Sequence, residues 1–288
     1  MNTGTERAKD QRTKGDVPRE ASTELVAVEG ALNSELIQEA HYNRIAYEYE
    51  AHYNDACSQE YRKRFQYETM FAGMDLVGKR VLEAMCGSGH TTQYLLARGA
   101  IVTGLDISPR EISSFRQRWP ECEAICRSAL DSGLENDSFD AVVVSGGLHH
   151  VHPNLFPVVR EFYRVLKPGG YFCFSEPHVG SLPDKVRKLW YKHDSLFADN
   201  EAAIDVDALK TEFASDFSFD FESYLGNFGY LLVLNSMAFR IPLSLKPFYT
   251  PIIMQVEAVL NEVLGQPLSC YVIERWQKKV TNSNPGEL

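Results

Sequence analysis

Val81-Leu82-Glu83-Ala84-Met85-Cys86-Gly87-Ser88-Gly89-His90-Thr91 begins as an apolar run, closes on an acidic residue and passes through two glycines. Residues 91–98 follow in a helical pattern, with Tyr94, Leu95 and Leu96 available for packing. The order is strand, tight turn, helix. Glycines at 87 and 89 admit dihedrals closed to other residues, and without a Cβ a ligand lies directly against the main chain. Free N–H groups at the start of the helix then favour an anionic group such as a carboxylate or phosphate.

Working outward, Ile101-Val102-Thr103-Gly104-Leu105-Asp106 is a second short strand ending in an acid, 17 residues beyond Gly89. Ser108-Pro109-Arg110-Glu111 comes directly after it. A serine cap, a proline at the first helical position and a glutamate three residues past the cap form a capping box, so a helix starts there. Asp106 sits at the carboxyl end of its strand, where an acidic side chain accepts both hydroxyls of a ribose.

Residues 122–127 read as a third strand, followed by Ser128-Ala129-Leu130-Asp131, and 140–145 as a Val-rich fourth strand. A run covered on both faces is what a parallel sheet contains. It ends in Ser145-Gly146-Gly147-Leu148-His149-His150-Val151-His152. Leu155, Val158, Val159, Phe162, Val165 and Leu166 recur at helical spacing, and Lys167-Pro168-Gly169-Gly170 stops that helix. Residues 171–175 give a fifth strand closing in Glu176-Pro177-His178. Strand and helix alternate, so right-handed crossovers and a parallel sheet follow, with ligands at the carboxyl ends of the strands. Glu83, Asp106, Asp131, Ser145 and Glu176 all fall there. Beyond this, 182–197 and 202–213 look helical, 216–224 and 268–277 look like strands, and 252–264 looks like a helix. Between those two strands lie an apolar run at 230–234 and a segment broken by Pro242, Pro247 and Pro251.

With these pieces in order, residues 40 to 177 resemble the class I S-adenosylmethionine-dependent methyltransferases, of the small-molecule type. The resemblance is carried by Glu83 with Gly87-Ser88-Gly89, Asp106-Ile107-Ser108, Ser138-Phe139-Asp140 before Ala141-Val142-Val143-Val144, His149-His150-Val151, and Arg164-Val165-Leu166-Lys167-Pro168-Gly169-Gly170. It implies a Rossmann-like, seven-stranded, mostly parallel α/β sheet with helices on both faces and an antiparallel last strand. It also implies an N-terminal helical lid over 31–75 and a methyltransferase domain over 76–288 with a helical insertion at about 178–215, while residues 1–30, polar and without apolar periodicity until Leu25, read as a flexible tail.

The implied cofactor is S-adenosyl-L-methionine, with S-adenosyl-L-homocysteine as product. Glu83, Gly87 and Gly89 then hold its methionine part, Asp106 its ribose, and Asp131 lies near its adenine. Cys86, Ile107, Ala129, Leu130 and Ser145 complete the expected cofactor-binding set. The aromatic series from Tyr42 to Phe71 either packs as a cap or closes as a lid, and in the second case Tyr49 leads Tyr42 and Arg44 as the residue reaching the methionine end. A nicotinamide dehydrogenase fits poorly. Position 92 is Thr where a third glycine is needed, no basic residue meets a pyrophosphate, and Glu83 suits an ammonium group that a dinucleotide lacks.

Methyl transfer asks the protein to position an acceptor and, for a hydroxyl or an activated carbon, to remove its proton. His149 and His150 are the candidate bases, with His152 and His178 behind them. Strand four lacks the Asn or Asp followed by Pro-Pro that base-amine methyltransferases carry. The glutamate pair of the arginine methyltransferases and the carboxylate set of the catechol enzymes have no match either. A small organic acceptor remains, and no metal is required; the resemblance to family members with similar apolar carboxyl ends implies one of secondary-metabolite, glycan or lipid/quinone type. The rival reading is a cofactor-binding module without turnover that works through protein partners.

A net charge of −10 argues against a duplex nucleic-acid partner. Six cysteines show no zinc-site spacing, and no apolar segment near the amino end resembles a signal peptide. Free thiols in a cytoplasmic protein are expected. No run is long enough for a membrane span, although the apolar stretch at 230–234 leaves peripheral contact or a lipid-like acceptor open.

Overall fold

Inward-facing side chains alternate along each strand between the two faces of a sheet, as a period of two requires. Leu82 and Ala84 join one buried cluster while Val81 joins the other; Val142 and Val144 oppose Ala141 and Val143, and Phe172 and Phe174 oppose Cys173. The computed structural model of the protein describes residues 53–191, 202–236 and 239–280. The expected tail over 1–30, and Tyr42, Arg44 and Tyr49, lie outside these residues.

Strands β1 (Arg80–Ala84), β2 (Ile101–Asp106), β3 (Glu123–Cys126), β4 (Phe139–Ser145), β5 (Leu166–Glu176), β6 (Phe217–Leu225) and β7 (Tyr271–Lys278) form one sheet. Its order is β3-β2-β1-β4-β5-β7-β6. The pairs from β3 across to β5 are parallel, and β7 runs antiparallel to both β5 and β6. That is the sheet the resemblance implies. The chain moves from β1 outward to β3 and then returns to β4 on the other side of β1. A crevice opens where the strand order reverses.

Helix α1 (Ala56–Tyr61) continues through a π-helical stretch, Arg62–Tyr67. It is followed by α2 (Thr92–Ala97), α3 (Pro109–Arg118), α4 (Leu155–Val165), α5 (Leu182–Tyr191), α6 (Val206–Glu212) and α7 (Lys246–Val263). α4 and α6 bury Val158, Val159, Phe162 and Leu209 on one face of the sheet. On the other face lie Tyr61 and Phe65, Leu95 of α2 and Met254 of α7. Trp276 sits at the centre of the first face, edge-on to Phe172 and Phe174 at 5.8 and 5.2 Å between ring centroids.

Several boundaries differ from the sequence expectation for identifiable reasons. The helix expected over 202–213 starts at Val206, because the Asp205 side chain caps it by accepting from Ala208 N at 3.0 Å. Residues before it stay extended, and Ile204 bridges to His178. The last strand begins at Tyr271, since Gly265 and Pro267 hold a short 3₁₀ turn over Gln266–Leu268. The segment read as broken by proline is the first half of α7. Pro247 occupies the opening turn, where its missing N–H is no loss, and Pro251 falls on the exposed side.

Between β6 and β7, the described residues 226–236 and 239–270 pack on α1 through the turn at Tyr230–Leu234 and through α7. The apolar run at 230–234 is a single π-helical turn, with Val233 and Leu234 buried in the second cluster. Glu257, fully buried on α7, accepts from Asn227 N and Gly229 N at 2.8 Å each and from the Tyr61 hydroxyl at 2.6 Å. One carboxylate thus fastens α7, the insertion and α1 together. Glu257→Ala strands those buried donors, and a loss of about 2–4 kcal/mol is expected in denaturant unfolding. A loss within about 0.5 kcal/mol would show that water replaces the carboxylate without cost.

Candidate active site

Carboxylates organise the loops at the carboxyl end of the sheet. Glu83, at the end of β1, is 3% exposed. Its Oε1 accepts from Thr91 N at 2.9 Å, and its Oε2 accepts from the Thr92 hydroxyl. The acid therefore caps its own following helix. The Thr91 N–H, expected to await an anionic ligand, is already taken. Burial pushes the Glu83 carboxyl up to about 7, against the opposing effect of the Thr92 and Thr91 hydrogen bonds.

Asp106 ends β2, one strand over. Its Oδ2 accepts from Gly87 N at 2.9 Å and its Oδ1 from Ser108 N at 2.9 Å. The glycine turn and the second strand's acid are thus in direct contact. Burial also raises the Asp106 carboxyl, partly offset by the bonds from Ser108 and Gly87.

The two glycines do different things. At Gly87, φ is +52° and a Cβ would meet nothing closer than Glu111 Oε2 at 3.5 Å, so the backbone there faces open space. At Gly89, φ is +85° and a Cβ would lie 2.4 Å from Trp119 Nε1. The expectation that Gly89 presents backbone to a ligand is corrected. The indole, donating to the Ser88 carbonyl at 3.2 Å, occupies that space.

A third acid, Glu176 at the end of β5, is fully buried and gathers the loop after β4. It accepts from Gly147 N at 2.6 Å and Leu148 N at 2.7 Å, and His149 Nδ1 donates to it at 2.7 Å. This arrangement separates the two histidines. His149 turns back to the carboxylate, while His150, with ring centroids 3.7 Å away, lines the cleft.

The cleft encloses about 1130 Å³ of empty space, part of it open solvent, above the ends of β1, β2 and β4. Of the expected residues, Glu83, Cys86, Gly87, Asp106, Ile107, Ala129, Leu130, Ser145 and His150 line it. Gly89, Asp131 and His149 do not. Asp131 is exposed and stays outside the lining that its neighbours Ala129 and Leu130 join. Buried His178 is also elsewhere, held by Ser269 Oγ at 2.8 Å and Val179 O at 3.0 Å.

Sequence reasoning missed Met85, His90, Glu111, Arg127 and Asn154 in the lining. Met85 takes φ +55°, a conformation uncommon for a side chain of its kind and visible only in the structure. His90 pairs through Nδ1 with Asn54 Oδ1 at 2.6 Å, and burial holds its imidazole well below the usual value. Glu111 had a legible signal. As the third residue after the Ser108 cap, it projects toward the turn beside β2.

Three carboxylates, Glu83, Asp106 and Glu111, face the cleft against one guanidinium, Arg127. Such a lining opposes a pyrophosphate and suits a ligand with positive charge and hydroxyls. Ile107, Ala129 and Leu130 add an apolar wall for a flat ring.

Residues 82–174 match a family described as a methyltransferase domain. The chain is 41% identical over 107 residues to a probable phthiotriol/phenolphthiotriol dimycocerosates methyltransferase of Mycobacterium ulcerans, covering 35% of this chain and 41% of that protein. It is 36% identical over 128 residues to a fatty-acid O-methyltransferase of Mycolicibacterium smegmatis, covering 43% of this chain and 46% of that one. The chain spans less than half the length of the curated relatives it matches. In fold it is similar to a solved SAM-dependent methyltransferase of Thermotoga maritima described as a possible histamine N-methyltransferase, with a TM-score of 0.57 and 18% identity over 83% of this chain and 99% of that one. Residues 82–174 are thus similar to a methyltransferase domain, and the fold is that of the solved SAM-dependent methyltransferase. S-adenosylmethionine is the cofactor these similarities support, and the charge of the cleft fits it.

Because the folded-state Glu83 carboxyl lies above its ordinary value of 4.5, the neutral form is the one the fold favours. The stability it contributes is full below that value and is lost as pH rises through about 7. Glu83→Gln, neutral at every pH, is expected to flatten this decline when unfolding free energy is compared across that range. Parallel profiles for the two proteins would contradict it.

Proposed function

We propose that the protein transfers a methyl group from S-adenosylmethionine to an oxygen, nitrogen or carbon of a small, largely apolar organic acceptor, without a metal. When bound, the cofactor supplies a methyl carbon attached to a positive sulfur and open to in-line displacement. The observation that carries the reading is the meeting of Glu83, Asp106 and the Gly87 backbone on one wall of the cleft with His150 in the same lining.

Each residue has a part in this reading. Glu83 and the turn at Cys86 and Gly87 receive the methionine end, Asp106 and Ile107 the ribose, Ala129 and Leu130 the adenine, with Ser145 at the end of β4 beside them. His150 takes the proton from the acceptor as its nucleophilic atom attacks. His149, bonded to Glu176, keeps the turn that presents His150 in place. The names of the Mycobacterium ulcerans and Mycolicibacterium smegmatis relatives point to lipid-like acceptors, and these supply the first acceptor class to try. Among the described residues no helix is long and apolar enough to cross a membrane.

Conversion of labelled S-adenosylmethionine to S-adenosylhomocysteine, followed with fatty acids, phenols and amines in parallel, tests the activity. No turnover with any class would return the chain to the reading of a binding module. With an accepted substrate, His150→Ala is expected to lower kcat by about 100-fold or more while cofactor affinity stays unchanged. A kcat within about threefold of wild type would remove His150 as the base. Asp106→Ala is expected to weaken S-adenosylhomocysteine binding in calorimetry by about 1–3 kcal/mol, through lost hydrogen bonds to the ribose and a loosened Gly87 turn. Unchanged affinity would place the sugar elsewhere.

A further inference from the structure

Helix α7 is amphipathic in the wrong sense for a helix facing water. Its inner face carries Lys246, 1% exposed, Thr250 and fully buried Glu257 beside buried Met254. Lys246 Nζ reaches Asp55 Oδ2 at 2.5 Å and Ser58 Oγ at 2.8 Å. Its outer face carries Phe248, Ile252, Val256, Val259 and Val263, exposed to 80, 67, 39, 60 and 69%. A helix on a protein surface normally shows the reverse. Contiguous exposed apolar side chains of this size mark a surface that another partner covers.

The spacing says which partner. Steps of 4, 4, 3 and 4 residues keep the five side chains in one stripe, as a helix-pairing seam requires. The stripe is also nearly symmetric about its middle. Running outward from Val256, Ile252 and Val259 lie at similar distances, and so do Phe248 and Val263. A second α7 laid antiparallel across the first therefore sets Val256 on Val256, Ile252 on Val259 and Phe248 on Val263. Self-complementarity of that kind defines a two-fold interface between identical chains. Branched side chains at Ile252, Val256, Val259 and Val263 suit a two-helix seam.

Charge agrees with this partner better than with a lipid surface. Interfacial helices flank their apolar face with Lys or Arg. The exposed polar positions within the stripe on α7 are Gln255 and Glu262, and the chain as a whole carries −10. In the antiparallel pairing the two Glu262 side chains fall about 18 Å apart along the seam, beyond the screening length of about 8 Å. One stripe is less than the about 800 Å² that a stable pair takes from each chain. Leu245, just before α7 and three residues ahead of Phe248, is exposed to 50% and lengthens it.

We infer that the outer face of α7 is a homodimer interface, on which a second copy of this chain seats its own α7 antiparallel about a two-fold axis at Val256.

Sedimentation equilibrium of the full chain tests the interface, independently of any methyl transfer. Wild type is expected to sediment at twice the chain mass at about 10 μM, a concentration that specific interfaces commonly saturate. Ile252→Lys and Val259→Glu, each checked for wild-type circular dichroism, are each expected to raise the dimer dissociation constant at least about tenfold. Mixing the two variants is expected to restore the dimer, because position 252 of one copy faces position 259 of the other. Val77→Glu, on a residue 72% exposed in the loop before β1, is expected to leave the mass at the dimer value. A monomeric wild type overturns the inference, and its cosedimentation with phosphatidylcholine vesicles would give the face to a lipid surface instead. Unaltered dimers in both seam variants overturn it as well, and a mixture that stays monomeric overturns the antiparallel register.

Discussion

Buried carboxylates accepting from backbone N–H groups hold the functional end of this sheet. A parallel strand that stops at its carboxyl end leaves a loop whose amides need acceptors, and a loop beside a cleft has few neighbours to supply them. Asp106 meets that need for the turn after β1, Glu176 for the turn after β4, and Glu83 for the first turn of α2. In two of these three cases the acid belongs to the neighbouring strand, so each loop is set by the register of the sheet. Register is fixed deep in the core, where Glu83 pairs with Gly104 on one side and Val143 on the other. The cleft inherits its precision from there.

The same arrangement fixes the cleft's electrical character. Acceptors that satisfy amides are carboxylates, and they cannot be withdrawn from the lining without releasing the loops. Burial then works against their charge, as the elevated Glu83 and Asp106 carboxyls record. A cationic ligand relieves that strain and an anionic one deepens it. Preference for a positively charged cofactor over a pyrophosphate is therefore a by-product of how the loops are built.

Much of this was legible in the sequence, and the parts that were not share a cause. Glu83, Asp106 and the capping box at Ser108 announce themselves because each occupies a position with a local meaning, at the end of a strand or the first turn of a helix. What local pattern does not give is direction. Gly89 looks like Gly87 in sequence, yet Trp119, which closes it off, is a residue 30 positions away. Asp131 carries the right side chain in the right loop and is not among the residues that line the cleft. His149 and His150 are adjacent and chemically identical, and only the distant Glu176 tells them apart. Pro247 of α7 misled for a different reason, since in the first turn its missing N–H would have had no partner within the helix.

Long-range placement also links the insertion to the cleft. From α7, Lys246 holds Asp55, and Asp55 caps α1 by accepting from Cys57 N at 3.0 Å. The preceding residue, Asn54, bonds His90 in the cleft lining, while Tyr67 at the far end of the same helical run donates to the His90 carbonyl at 3.2 Å. Polar side chains on the inner face of α7 are thus anchors in a path that ends at the glycine turn. With Lys246, Thr250 and Glu257 committed to the inner side, Gln255 and Glu262 are the exposed polar residues left beside the apolar stripe of the outer face. The apolar stripe of α7 lies opposite these anchors, and covering it would release the water held against it.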